Sequence, residues 1–129
     1  MLDTHILIRW LAEPQKLSRN QLRVIEQAVK RSEPLAISDM TLLEIAVLLG
    51  EGSHRINSSI EDLFTDLQDN PFFRVLPLTY EIAVEVAAVG PSLRDPADRA
   101  IVATARVHRL RLVTSDQRIV ESKLVSVVE

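Results

Sequence analysis

Asp3, Glu44, Asp98 and Asp116 are the residues whose types and placing point to chemistry in this chain. Each stands where an apolar segment gives way to a helix or turn. Asp3 follows Met1-Leu2, and Glu44 comes after the Leu35-Ala36-Ile37 run. Asp98 opens the helical stretch Arg99 to His108, and Asp116 follows Leu112-Val113-Thr114-Ser115. In an open α/β sheet, strand ends converge on one edge, and ligands bind in the crevice outside the carboxyl ends. Carboxylates gathered there would repel by roughly 3 kcal/mol per pair at about 5 Å and an effective dielectric near 20. A hard divalent cation offsets such repulsion. Metal-dependent phosphodiester chemistry is therefore expected.

The elements that must position these acids alternate along the chain. Short β-type runs are expected at Met1-Leu2, Leu35 to Ile37, Phe73 to Leu76, Leu110 to Val113 and Leu124 to Val128. Helical stripes lie between them, an order that argues for βαβ units and a parallel sheet. Ile6, Leu7 and Trp10-Leu11 form the first stripe, ended near Pro14. Leu22, Ile25 and Val29 form a second, with Ser18 as N-cap. Ile60, Leu63, Phe64 and Leu67 form a third, stopped by Asn70-Pro71. Ile82, Val86 and Val89 form the next, begun by Thr79 and stopped by Gly90-Pro91. No repeat, low-complexity tract or long linker divides the chain, so residues 1–129 are expected to form one domain. The first strand is a stub, because only Met1 and Leu2 precede Asp3. At about 3.3 Å per residue, the terminal amine should lie within roughly 10 Å of Asp3. Either the protein begins upstream of Met1 or the sheet tolerates a truncated strand.

Each acid also has an ordinary structural reading. Asp95-Pro96-Ala97-Asp98 is how a capped helix begins, with Asp at the N-cap, Pro first and an acid in the first turn. Asp95 is read as that cap and Asp98 as the chemical group. Thr41-Leu42-Leu43-Glu44 has capping-box spacing. Apolar Leu43, Ile45 and Ala46 flank Glu44, so the helix it enters is expected to be largely buried, and a buried carboxylate is costly unless paired or bound to metal. Asp3-Thr4 and Ser115-Asp116 set a hydroxyl beside an acid, where Thr4 and Ser115 could orient the carboxylates by hydrogen bonds. The plainer reading has Thr4 and Asp116 capping the helices that follow. His5, His54 and His108 match no metal motif. His54 and His108 are read as solvated, and His5 as a possible neighbour of the Asp3 carboxylate.

Composition narrows the classes further. The 129 residues are 47% hydrophobic and 26% charged, enough for a core without cross-links and unlike a disordered chain. The chain has no cysteine, which removes thiolate zinc sites and cysteine nucleophiles and suits a reducing cytosol. No apolar run approaches the ~20 residues of a membrane helix. No basic segment precedes an apolar one at the start, so a cytoplasmic protein without a secretory signal is expected. A net charge of −3 gives no broad grip on nucleic acid. Twelve of the 15 cations are arginine, the side chain better shaped for phosphate. Arg106, Arg109 and Arg111 cluster near one helix end, where solvation beside a helix C-terminus accounts for them.

Leu2-Asp3-Thr4-His5, Glu44-Ile45-Ala46, the run from Asp95-Pro96-Ala97-Asp98-Arg99 to Ala105, and Leu112-Val113-Thr114-Ser115-Asp116 together resemble PIN domains. Within these they are most similar to VapC-type toxins of bacterial toxin–antitoxin pairs. The resemblance covers nearly the whole chain, and Asp-Pro-x-Asp-Arg is its most specific piece. It implies a three-layer α/β/α sandwich around a central parallel sheet of about five strands. It implies a Mg²⁺- or Mn²⁺-dependent endoribonuclease, a homodimer, and inhibition by a VapB-like antitoxin. The family's acidic residues fall on Asp3, Glu44, Asp98 and Asp116, with Thr4 and Ser115 at polar positions beside them. Arg99 fits a position that would pair with an acid or face phosphate. Three departures stand out: the short first strand, Leu43 where an aromatic is common, and Leu93 where a histidine often lies.

The expected mechanism is metal-assisted hydrolysis of RNA, with Asp3, Asp98 and Asp116 holding one or two ions and Glu44 positioning or deprotonating water. Other enzyme classes fit less well. His5 stands where a haloacid-dehalogenase-like phosphatase needs its second Asp, and Lys16, Lys30 and Lys123 are misplaced for a receiver domain. The three glycines form no Gly-x-Gly-x-x-Gly. Two alternatives stay open: a non-catalytic PIN-like module that binds a partner, and a nuclease acting on DNA.

Overall fold

Residue choice at the ends of the helices sets the frame that holds the acids. A computed structural model of the chain describes residues 1–51 and 59–129; His54 lies outside them. Asp3 caps α1 (Thr4–Ala12), its carboxylate accepting the Thr4 N–H. Ser18 and Gln21 form a reciprocal capping box on α2 (Arg19–Lys30). Strand β1 (Leu35–Ser38) leads into α3 (Asp39–Gly50), and α4 (Ile60–Asp69) leads into β2 (Phe73–Leu76). Thr79 caps α5 (Tyr80–Val89), which ends at Gly90 with a positive φ of 69° that glycine adopts readily. Asp95 caps α6 (Pro96–Val107), with Pro96 in the first turn. Strand β3 (Leu112–Val113), α7 (Gln117–Ser122) and β4 (Val127–Val128) complete the order.

The strands pair in parallel. Leu35 faces Phe73 and Ser38 faces Leu76 in the β1–β2 ladder, while Leu112 faces Val127 in the β3–β4 ladder. Residues 1–3 run between the two ladders. The Leu2 N–H donates to Ala36 O at 2.9 Å, the Asp3 N–H to Val113 O at 3.0 Å, and the Val113 N–H to Met1 O at 2.9 Å. The expected regular sheet of about five strands is thus present only in short pieces. Two separate ladders are joined by a stub whose regular pairing is the single Leu2–Val113 bridge among the described residues. The stub is brief because Asp3 already belongs to the cap of α1. Likewise β3 begins at Leu112 and β4 at Val127, later than local β-propensity suggests, since pairing rather than propensity sets strand length.

Alternate residues of these segments feed different cores. Leu2, Val113 and Val128 pack with Ile6, Ile25, Ile45 and Leu63 from α1 to α4. Met1, Leu112 and Val127 pack with Ile101, Val102 and Ala105 of α6 and Ile119 of α7. The period-2 alternation therefore covers both faces of the sheet with helices. Helix α6 is buried from Ala100 to Ala105 and packs on α5, α3 and β1. Among the described residues, no helix is long and apolar enough to cross a membrane.

Candidate active site

Three aspartates approach one another because each starts a helix at the same edge of the sheet. Asp3 is 4% exposed. Its Oδ1 accepts from the Thr4 N–H at 2.8 Å and its Oδ2 from the Thr114 hydroxyl at 2.7 Å. Burial raises its carboxyl above the usual range. The Thr114 and Thr4 bonds and the charge of His5 pull it back, and Asp116 pushes it up. Asp116 caps α7, and its carboxyl is lowered from the ordinary value, chiefly by the Arg118 side chain. Asp95 caps α6 through a 2.8 Å bond from the Ala97 N–H.

Asp98 sits one turn into α6 and is buried. Its carboxyl is pushed up to about 7, first by burial and then by the charges of Asp95, Asp3, Asp116 and Glu44. All the acids singled out by the sequence therefore act electrostatically on this one group. Each falls near an N-terminal helix end, where peptide dipoles favour negative charge, except Glu44, which enters from within α3.

Glu44 arrives by a different route from the one its sequence spacing suggests. Ser38, not Thr41, caps α3, accepting from the Met40 N–H at 3.1 Å. The Thr41-x-x-Glu44 spacing is therefore no capping box but a pair on one helix face. Nor is α3 largely buried: Leu43 is 55% and Val47 48% exposed, while Thr41 and Ile45 point inward. Glu44 is half-buried, and the Thr4 hydroxyl, 3.0 Å from the Thr41 hydroxyl, donates to Glu44 Oε1 at 2.6 Å. Burial raises the Glu44 carboxyl, the Thr4 bond opposes this, and the charges of Asp3 and Asp95 add to it.

Other residues singled out by the sequence lie elsewhere. The Ser115 hydroxyl accepts from Gln21 at 2.9 Å and Arg9 at 3.3 Å, and its neighbour Thr114 is the hydroxyl that reaches Asp3. The Arg99 Nε–H donates to the Leu93 carbonyl, which ties the first turn of α6 to the segment before it. Arg106 pairs with Glu85 and donates to the Leu124 carbonyl, beside a cavity of about 730 Å³ also lined by Arg109 and Arg111. That cavity adjoins the far end of α6, away from Asp98.

Gln21 and Arg118 escaped the sequence reading. Gln21 is 1% exposed and donates to the Thr114 carbonyl and Ser115 hydroxyl, fixing the segment that holds Asp3 and Asp116. Ser18 was expected as the cap of α2, but that expectation carried no sign of this role for Gln21. Arg118 grips Asp116 with Nε–Oδ1 at 3.1 Å and Nη2–Oδ2 at 2.9 Å, and lies 3.8 Å from Asp98. The Asp-x-Arg spacing was its one signal.

The donor set suits a hard cation. It offers carboxylate oxygens alone, with Asp98 destabilised by its neighbours and a guanidinium already drawn in among them. Among the described residues, no group of three Asp, Glu or His side chains closes around one point at ligand distance. The chemistry fits, and a cation would have to draw the carboxylates together.

Residues 1–123 match the PIN domain family model. The chain belongs to the PIN-domain family. It is 36% identical over 120 residues to Ribonuclease VapC22 of Mycobacterium tuberculosis, spanning 92% of this chain and 88% of that protein. Among solved structures, FitAcB from Neisseria gonorrhoeae superposes with a TM-score of 0.71 at 22% identity, covering 99% of this chain and 95% of that one. A toxin–antitoxin complex from Klebsiella pneumoniae gives a TM-score of 0.60 at 25% identity, covering 90% and 85%. VapBC2 from Rickettsia felis, bound to a promoter DNA fragment, gives 0.68 at 16% identity, covering 98% and 95%.

Proposed function

We propose that this PIN domain, taken as one unit over residues 1–129 with its extended segments acting as a single five-membered sheet in a three-layer sandwich, is the toxin of a toxin–antitoxin pair. Its activity is metal-dependent endoribonucleolytic cleavage of RNA in the cytoplasm. The observation that carries this reading is the gathering of Asp3, Glu44 and Asp116 around the buried carboxyl of Asp98. The likeness to a named ribonuclease supports RNA as substrate, and the likeness to toxin–antitoxin complexes supports an antitoxin partner, taken here as VapB-like.

Asp3, Asp98 and Asp116 would hold Mg²⁺ or Mn²⁺. When bound, the metal supplies a Lewis acid that makes water more acidic and neutralises charge on phosphate. The chain does the rest by orientation. Thr4 and Thr114 fix Asp3 from two sides, and the α7 N-terminus fixes Asp116. The Thr4 hydroxyl holds Glu44 Oε1, which leaves Oε2 to orient water and accept its proton. Asp95 caps α6 and so sets where Asp98 projects.

Titrating Mn²⁺ into the protein and into Asp98→Asn, then adding structured RNA to each, tests the reading. Binding and cleavage by the first protein and neither by the second is expected. A folded protein that binds no Mn²⁺ would return the choice to a partner-binding module, and preferential cleavage of DNA would redirect the substrate. A homodimer completes the proposal, supported by the bare apolar side of α5, where Tyr80 is 96% and Val84 71% exposed.

A further inference from the structure

The Arg118 side chain has no place in the mechanism above, yet it reaches both Asp116 and Asp98. We propose that Arg118 is the internal counter-ion of the site, competing with the divalent cation for the oxygens of Asp116 and Asp98. The inference rests on the metal-binding reading of those carboxylates.

Its basis is the way Asp116 is used. Oδ1 accepts from both the Arg118 N–H at 2.9 Å and the Arg118 Nε–H at 3.1 Å, and Oδ2 accepts from Nη2 at 2.9 Å. Both oxygens are thus held by one residue, two positions along the chain. Such a ring is local, so little chain entropy opposes it, and the planar fork matches the carboxylate bidentately. The second arm is looser, with Nη2 3.8 Å from Asp98 Oδ2. A cation drawing Asp116 and Asp98 together needs oxygens that the guanidinium already occupies. Charge arithmetic favours exchange over co-binding, because two cations at one pair of carboxylates repel.

The pairing is also weak enough to give way. The Arg118 side chain is 74% exposed, and exposed ion pairs contribute little to stability. Arg118 therefore acts as a placeholder that keeps the acids compatible, not as a lock.

Calorimetric titration of Mn²⁺ into the intact protein at fixed ionic strength tests this, alongside Arg118→Gln, Arg9→Gln and Asp98→Asn. Arg118→Gln should bind Mn²⁺ about two- to fivefold more tightly, the equivalent of one exposed ion pair. Arg9→Gln removes a charge that meets Ser115 and not a carboxylate, so its affinity should stay unchanged. Equal or weaker binding by Arg118→Gln would overturn the proposal and leave the metal site standing. Equal tightening in Arg9→Gln would also overturn it, by reducing the effect to net charge. Binding that survives in Asp98→Asn, or is missing from every folded protein, would remove the proposal together with the metal reading. Circular dichroism checks folding. If Arg118→Gln fails that check, Arg118→Lys keeps the charge without the fork and should tighten binding in the same direction by less.

Discussion

Asp98 is the residue where the fold and the chemistry pull against each other. In an unfolded chain its carboxyl would titrate near 4, whereas in the folded protein it is held up to about 7. Between those values the folded state keeps a proton that the unfolded state releases. Metal-free stability should therefore be fullest below about pH 4 and fall as pH rises to about 7, as far as Asp98 contributes. Asp98→Asn should flatten that part of the profile and make the metal-free protein more stable than the unsubstituted chain above pH 7. Urea denaturation with a chelator across this range measures it. The same proton must leave before a cation can bind, so Mn²⁺ affinity should rise with pH through about 7. Thr4 offers a separate handle on Glu44. Thr4→Val removes the bond to Glu44 Oε1 and deprives buried Thr41 of a hydroxyl partner. Turnover should fall by about tenfold, part of the ~10²–10⁴ that a positioned base contributes, with KM little changed. The stability cost should be about 1–3 kcal/mol, read from the same urea series.

At the scale of elements, the helix starts explain what could be read from residues alone. Ser18, Thr79 and Asp95 announce α2, α5 and α6 because a cap is local chemistry, a side-chain oxygen and an N–H two or three residues on. Pro14, Asn70-Pro71 and Gly90-Pro91 mark helix ends for equally local reasons. The aspartates converge because the starts of α1, α6 and α7 lie together, so the candidate site was legible as a set of positions. Its contacts were not. Thr41 and Ser38 compete for one helix start, and the end of β1 decides between them. Thr114 and Ser115 are adjacent hydroxyls, and only the direction in which β3 ends turns Thr114 toward Asp3. Gln21 shows how far one element reaches into another. Ser18→Ala should cost about 1 kcal/mol, chiefly through the cap, beside an exposed bond to the Glu129 carbonyl. Gln21→Leu should cost more, about 1–3 kcal/mol, since it also releases Thr114 and Ser115, and it should lower cleavage where Ser18→Ala does so less. Chemical denaturation and a single-substrate assay on both variants separate the two roles.

For the molecule as a whole, one unmatched apolar surface among the described residues lies on α5. Tyr80, Ala83, Val84 and Ala87 follow helical spacing and are exposed, an apolar stripe that water solvates poorly. If the stripe joins two copies, Val84→Glu should convert a species of twice the chain mass into one of single mass by light scattering. Mn²⁺ binding per chain should be unaffected, since α5 carries none of the clustered acids. A last consequence follows from the caps on α1, α6 and α7. Asp3, Asp95 and Asp116 each spend an oxygen on a backbone N–H, of Thr4, Ala97 and Arg118 respectively. Any ligand that tugs on Asp3 or Asp116 therefore tugs on the first peptide groups of a helix. The amide protons of Thr4 and Arg118 become spectators of the site, and their magnetic resonance shifts and exchange with solvent should report Mg²⁺ long before any substrate is cut.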